Sequence, residues 1–122
     1  MEKIFLDVNV FIDIAYRKPL RRISLEKKDV YISPISVHIL CYLNKIKVPN
    51  QALQDFLGEY NIITLTQKIL DGALKGPTDD FEDNVQLHSA AQADCDLFLT
   101  EDKRLLKLAY FGKVAIVSKV EA

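Results

Sequence analysis

Three aspartates stand where carboxylate chemistry is expected. Asp7 ends the short apolar run Lys3-Ile-Phe-Leu6, and Asp102 ends Asp96-Leu-Phe-Leu-Thr-Glu-Asp102. Asp83 closes the acidic stretch Thr78-Asp-Asp-Phe-Glu-Asp83 ahead of a helical pattern. Two carboxylates brought to ~4 Å at an effective dielectric near 20 repel by about 4 kcal/mol. A group of three therefore needs a cation, a shared proton or wide spacing. Oxygen-only ligands of this kind suit Mg²⁺ or Mn²⁺. Such an ion lowers the pKa of a bound water and neutralises charge developing on a phosphodiester. Any one of these acids alone reads more simply as a helix cap or a strand end. The three together, at these positions, favour a shared site.

The elements that would position them follow from apolar runs and turn residues. Lys3–Leu6, Val30–Ser33, Asn61–Leu65, Asp96–Leu99 and Lys113–Val117 read as five strands. Helices are expected over Asn9–Tyr16, Leu20–Lys28, Pro34–Lys45, Asn50–Gly58, Thr66–Leu74, from the Asp83 region to about Ala93, and over Lys103–Tyr110. Pro34 suits an early helical position. Pro19 closes the first helix or opens the next, and Gly76-Pro77 stops a later one. Asp79 and Glu82 have capping-box spacing. Strands alternating with helices imply a three-layer α/β/α fold around a mainly parallel, roughly five-stranded sheet, Rossmann-like in architecture. Ligands bind beyond the carboxyl ends of such strands. Asp7 and Asp102 both sit at those ends, and the first and fourth strands are often neighbours at the switch point. Asp83 shares a helix face with Leu87, Ala90 and Ala91, so it heads an inward stripe. Asp94 and Asp96 lie at the opposite end of strand four and are assigned to solvent or turn roles.

The bulk composition is permissive. The chain has 122 residues, 49% hydrophobic and 27% charged, which predicts one domain over residues 1–122. No secretory h-region and no membrane-length apolar run is seen, so a cytoplasmic, reduced protein with no membrane partner is expected. Net charge is −1 and gives no hint of nucleic acid. Basic residues are uneven, however. Arg17, Lys18, Arg21, Arg22, Lys27 and Lys28 form one group, and Lys103, Arg104 and Lys107 another. They read as solvated helix faces or as a phosphate-contacting rim. A zinc site from His38, Cys41, His88 and Cys95 has poor spacing. The cysteines are expected in the core and His88 on a helix surface. The scattered aromatics read as core rather than as a base-stacking platform.

The segment Phe5-Leu-Asp-Val-Asn-Val-Phe-Ile-Asp13 resembles the start of a PIN domain. Asp80-Phe-Glu-Asp83, through Ala90-Ala91 to Asp94-Cys-Asp-Leu-Phe-Leu-Thr-Glu-Asp102, resembles that family's second half. The resemblance covers nearly the whole chain. It implies a Mg²⁺- or Mn²⁺-dependent endoribonuclease, toxin-like in the manner of the VapC type. Its implied partners are RNA, an antitoxin protein and a second copy in a homodimer. Carried over, Asp7, Asp83 and Asp102 are the catalytic, metal-holding acids. Asn9 supports the turn beside Asp7, Thr100 hydrogen-bonds within the site, and Asp13 holds loop geometry.

One family acid is missing. It normally falls in the helix after strand two, and here that stretch is Ser33-Pro-Ile-Ser-Val-His-Ile-Leu40, with Ile39 at its position. No Asp or Glu occurs between Val30 and Gln54. Asp80, Glu101 and His38 are the candidates to compensate. The alternative is a catalytically degenerate PIN domain that binds RNA or protein. A phosphoacceptor receiver domain, another small acid-rich α/β fold, needs an aspartate after strand three, and Asn61-Ile-Ile-Thr-Leu-Thr-Gln67 has none.

Overall fold

The computed structural model describes residues 1–17 and 25–120. The apolar runs form strands, of which the central β1 and β4 are buried on both faces, as a parallel sheet covered by helices requires, while the edge strands β3 and β5 are largely exposed. They are β1 (Lys3–Leu6), β2 (Asp29–Ile32), β3 (Asn61–Ile62), β4 (Leu97–Leu99), β5 (Tyr110–Phe111) and β6 (Val114–Val117). The helices are α1 (Val8–Ile12), α2 (Pro34–Leu43), α3 (Gln51–Leu57), α4 (Gln67–Ala73), α5 (Phe81–Gln92) and α6 (Lys103–Leu106). A π-helical turn, Asp13–Arg17, continues α1. Side chains start several of these helices. Ser33, Asn50 and Thr66 each accept a hydrogen bond from a backbone N–H of the first turn of α2, α3 and α4 respectively.

The strand order is β3-β2-β1-β4-β6-β5. β1 pairs in parallel with both β2 and β4, with Ile4 opposite Leu97, Phe5 opposite Phe98 and Leu6 opposite Leu99. The order reverses between β1 and β4, so the switch point lies where Asp7 and Asp102 were expected to meet. Strand alternation splits the core into two layers. Ile4 and Leu6 pack with Phe11, Ile14 and Leu40 on one face. Phe5, stacked on Phe98 at 5.3 Å, packs with Leu87, Ala90 and Leu105 on the other. A smaller cluster of Ile69, Ala73 and Val85 joins α4 to α5.

The three-layer, mainly parallel reading holds, with four corrections. The sheet has six strands among the described residues, because Tyr110–Phe111 turns back on Val114 as an antiparallel hairpin. Helix α6 accordingly ends at Leu106, and Ala109 and Gly112 take left-handed backbone at the corners (φ +62° and +60°). β3 ends at Ile62, short of Leu65. Helix α5 is capped one residue later than expected, by Asp80 Oδ1 accepting from the Asp83 N–H at 2.9 Å. Most of the helix expected over Leu20–Lys28, together with Pro19, lies outside the described residues. No helix among the described residues is long and apolar enough to cross a membrane.

Candidate functional site

Asp7 follows β1 and stands at the N-terminus of α1, yet its side chain caps nothing. The carboxylate is only 3% exposed and turns inward. Its Oδ1 accepts from Gln86 Nε2 at 3.1 Å, and its Oδ2 accepts from the Thr100 hydroxyl at 2.6 Å. Gln86 is fully buried on α5, and its Oε1 in turn accepts from the Val8 N–H at 2.8 Å. Burial raises the Asp7 pKa and outweighs these hydrogen bonds, and the charge of Asp102 adds to the rise.

Thr100, at the end of β4, ties the two acids at the strand ends together. Its hydroxyl donates to Asp7 and accepts from the Asp102 N–H at 3.0 Å. Asp102 caps α6, with Oδ1 accepting from the Arg104 N–H at 2.8 Å. The Arg104 guanidinium folds back onto the same carboxylate, with Nη2 at 3.0 Å from Oδ2 and Nε at 3.4 Å from Oδ1. That pairing holds Asp102 below the usual carboxylate range.

Asp83 lies in the first turn of α5 with its side chain 14% exposed. Burial pushes its pKa up to about 7, and the charges of Asp80, Asp7 and Asp102 push the same way, against a smaller opposing effect of Arg104. Arg104 Nη2 is 3.9 Å from Asp83 Oδ2. A small cavity opens here between Asp80, Asp83, Arg104 and Leu105. The charges of Asp7 and Asp102 thus both reach Asp83, and that of Asp102 reaches Asp7, near the carboxyl ends of β1 and β4, while the cavity itself is lined by Asp83 and not by Asp7 or Asp102. A fourth acid joins them. Glu82 is half-buried, and its pKa is raised by burial, Asp80 and Asp7. In the sequence Glu82 stands out only as a capping partner. Gln86 carries a signal of its own, since a glutamine three residues after Asp83 sits on the same inward face.

As placed, no group of three or more His, Cys, Asp or Glu among the described residues stands close enough to hold a metal ion. The donor set is nevertheless of the right kind. It is all oxygen, partly desolvated, and short of positive charge apart from Arg104.

The remaining expected residues fall differently. Asn9 is exposed with no side-chain hydrogen bond among the described residues, and Gln86 holds the turn beside Asp7 in its stead. Asp80 caps α5 and adds to the field on Asp83. Glu101 is exposed. His38 is exposed and stacks on Tyr42 at 6.3 Å along α2. Ile39 packs against the core cluster of Leu6, Phe11 and Leu40, so the position expected for an acid is an apolar contact. Asp13 is buried and pairs with Arg17 at 3.4 Å. Of the basic groups, Lys28 pairs with Glu2, Arg104 lies in the site, and Lys18, Arg21 and Arg22 fall outside the described residues. Among the discounted residues, Cys95 is buried and Cys41 half-buried, both as free thiols. His88 is half-buried rather than fully on the helix surface. Its Nε2 bonds the Gly76 carbonyl at 2.9 Å, and its ring meets Phe111 edge to face.

No protein-family model matches the sequence, and no curated protein matches it. Solved structures similar to it include the following two. One is a toxin–antitoxin complex from Klebsiella pneumoniae, at 20% identity over 97% of this chain and 98% of that one, with a TM-score of 0.71. The other is VapBC2 from Rickettsia felis bound to a DNA fragment from their promoter, at 17% identity over 94% and 97%, with a TM-score of 0.67. At such identities the likeness is one of fold. It agrees with the PIN-like α/β fold that the sequence resemblance implies.

Proposed function

We propose that this chain is a toxin-like ribonuclease of PIN type, hydrolysing RNA phosphodiesters at Asp7, Asp83 and Asp102. The observation that carries the reading is Asp7. A carboxylate with 3% exposure, fixed at both oxygens and set within the field of Asp83 and Asp102, is costly to fold. Carboxylates perturbed in this way by burial and by one another are candidates for a functional site. The similarity in fold to chains from toxin–antitoxin complexes supports an antitoxin protein as partner.

Asp7, Asp83 and Asp102 are the residues that would hold Mg²⁺ or Mn²⁺. When bound, the ion supplies an activated water and charge neutralisation at the phosphodiester. The chain's own residues do the rest. Thr100 and Gln86 fix the Asp7 carboxylate so that little reorganisation is left for the reaction. Exposed Lys103 and Lys107, beside Asp102, are placed to meet RNA phosphates. The test is cleavage of single-stranded RNA by purified chain with Mg²⁺ or Mn²⁺. Asp7→Asn, confirmed folded by circular dichroism, is expected to abolish cleavage. Wild-type protein inert with both metals would sink the proposal, as would an unimpaired variant.

A second reading is a degenerate PIN domain that binds RNA or protein without cutting. Ile39 favours it, because its place in the core removes one carboxylate from the expected set. Mn²⁺ binding measured by calorimetry, with no aspartate-dependent cleavage, would select this reading.

A further inference from the structure

We infer that Arg104 is an internal cation occupying the position that a divalent ion would take, so that Arg104 pairing and metal binding exclude one another. This rests on the proposed metal site and adds a residue of the chain's own that controls its loading. The geometry is specific. Arg104 Nη2 stands 3.0 Å from Asp102 Oδ2 and 3.9 Å from Asp83 Oδ2. Those two oxygens belong to different elements, the head of α6 and the first turn of α5. An ion that drew on both carboxylates would compete with the guanidinium for the same oxygens.

Arg104 is suited to yielding. Its side chain is 72% exposed, so one flank of the guanidinium faces solvent while the other meets the acids. An ion pair this open contributes little on its own, so a divalent ion ligated by several carboxylates can displace it. Its planar fork fits Asp102 through two contacts, which a lysine at the same position could not reproduce.

The experiment is calorimetric titration of Mn²⁺ into the full chain, as wild type, Arg104→Gln and Arg104→Lys, with Asp7→Asn as the control expected to lose binding. Arg104→Gln is expected to bind Mn²⁺ several-fold more tightly than wild type, with Arg104→Lys between them. In parallel, the Arg104 Nε–H resonance of wild type should shift as Mg²⁺ is added, with the midpoint of ion binding. Equal or weaker Mn²⁺ binding by Arg104→Gln overturns the inference. So does an Arg104 resonance that stays put while Mg²⁺ saturates, or a failure of both wild type and Arg104→Gln to bind Mn²⁺. None of these readouts involves RNA, so the ribonuclease reading is judged separately by the Asp7→Asn cleavage assay.

Discussion

At the scale of single residues, the site is a set of carboxylates held under electrostatic strain. Asp83 shows the consequence for the metal-free chain. Its pKa of about 7 in the folded chain lies above its ordinary value of 3.8, so the folded state holds its proton more tightly than the unfolded state does. The stability contributed by Asp83 is therefore full below pH 4, falls as pH rises through about 7, and is flat beyond. Asp7 and Glu82 are shifted in the same sense, and Asp102 in the opposite one. Urea unfolding in chelator-treated buffer should show stability declining between about pH 4 and 7. Asp83→Asn should flatten that decline and exceed wild type at pH 8 by on the order of 1 kcal/mol. An identical slope in the variant would refute the assignment. Asp7 and Asp102 were legible in the sequence because each ends an apolar run. Gln86 was not, because a lone glutamine amid Val85 and Leu87 reads as a break in the apolar face. Its role depends on the Val8 N–H and Asp7 carboxylate, which lie on a distant part of the chain.

At the scale of elements, what positions Asp83 is the seating of α5 between the sheet and α4. Gly72 on α4 lets His88 of α5 approach closely. A Cβ at Gly72 would lie 2.6 Å from both Cε1 and Nδ1 of the His88 ring. That ring cannot simply swing aside, being held by the Gly76 carbonyl on one side and Phe111 on the other. Gly72→Ala would gain up to about 1 kcal/mol of helix propensity. Overpacking typically costs about 1–3 kcal/mol and outweighs that gain. A net loss of stability is expected in denaturant unfolding, smaller when introduced together with His88→Ala. Strict additivity of the two substitutions would count against the contact. His88 was read as a surface residue because the polar pattern of α5 gives no hint that the β5–β6 hairpin folds over it. That hairpin was hidden in turn by Leu105, Leu106 and Leu108, which extend the helical pattern of α6. Gly112 was the available signal, and the φ of +60° there is what a two-residue hairpin turn demands.

At the scale of the whole molecule, the order of strands matters more than any one of them. Because β1 lies between β2 and β4, Asp7, Asp102 and the head of α5 converge from segments far apart in sequence. Alternating strands and helices made that parallel core legible, whereas edge features such as β5 were set by local turns. The same convergence gives the proposed ion a global effect. An ion ligated by Asp7, Asp83 and Asp102 would cross-link the ends of β1 and β4 with α5, an arrangement that the unfolded chain lacks. Binding to the folded state alone stabilises it by about 2.7 kcal/mol when the free ion is at a hundred times its Kd. For a chain of this length that corresponds to a Tm increase of roughly 10 °C. Thermal unfolding followed with increasing Mn²⁺ should show Tm climbing with the logarithm of ion concentration once past Kd. Asp7→Asn should remove the climb, and Arg104→Gln should move its onset to lower Mn²⁺. A Tm indifferent to Mn²⁺ in the wild-type chain would mean that the three acids do not act together on an ion.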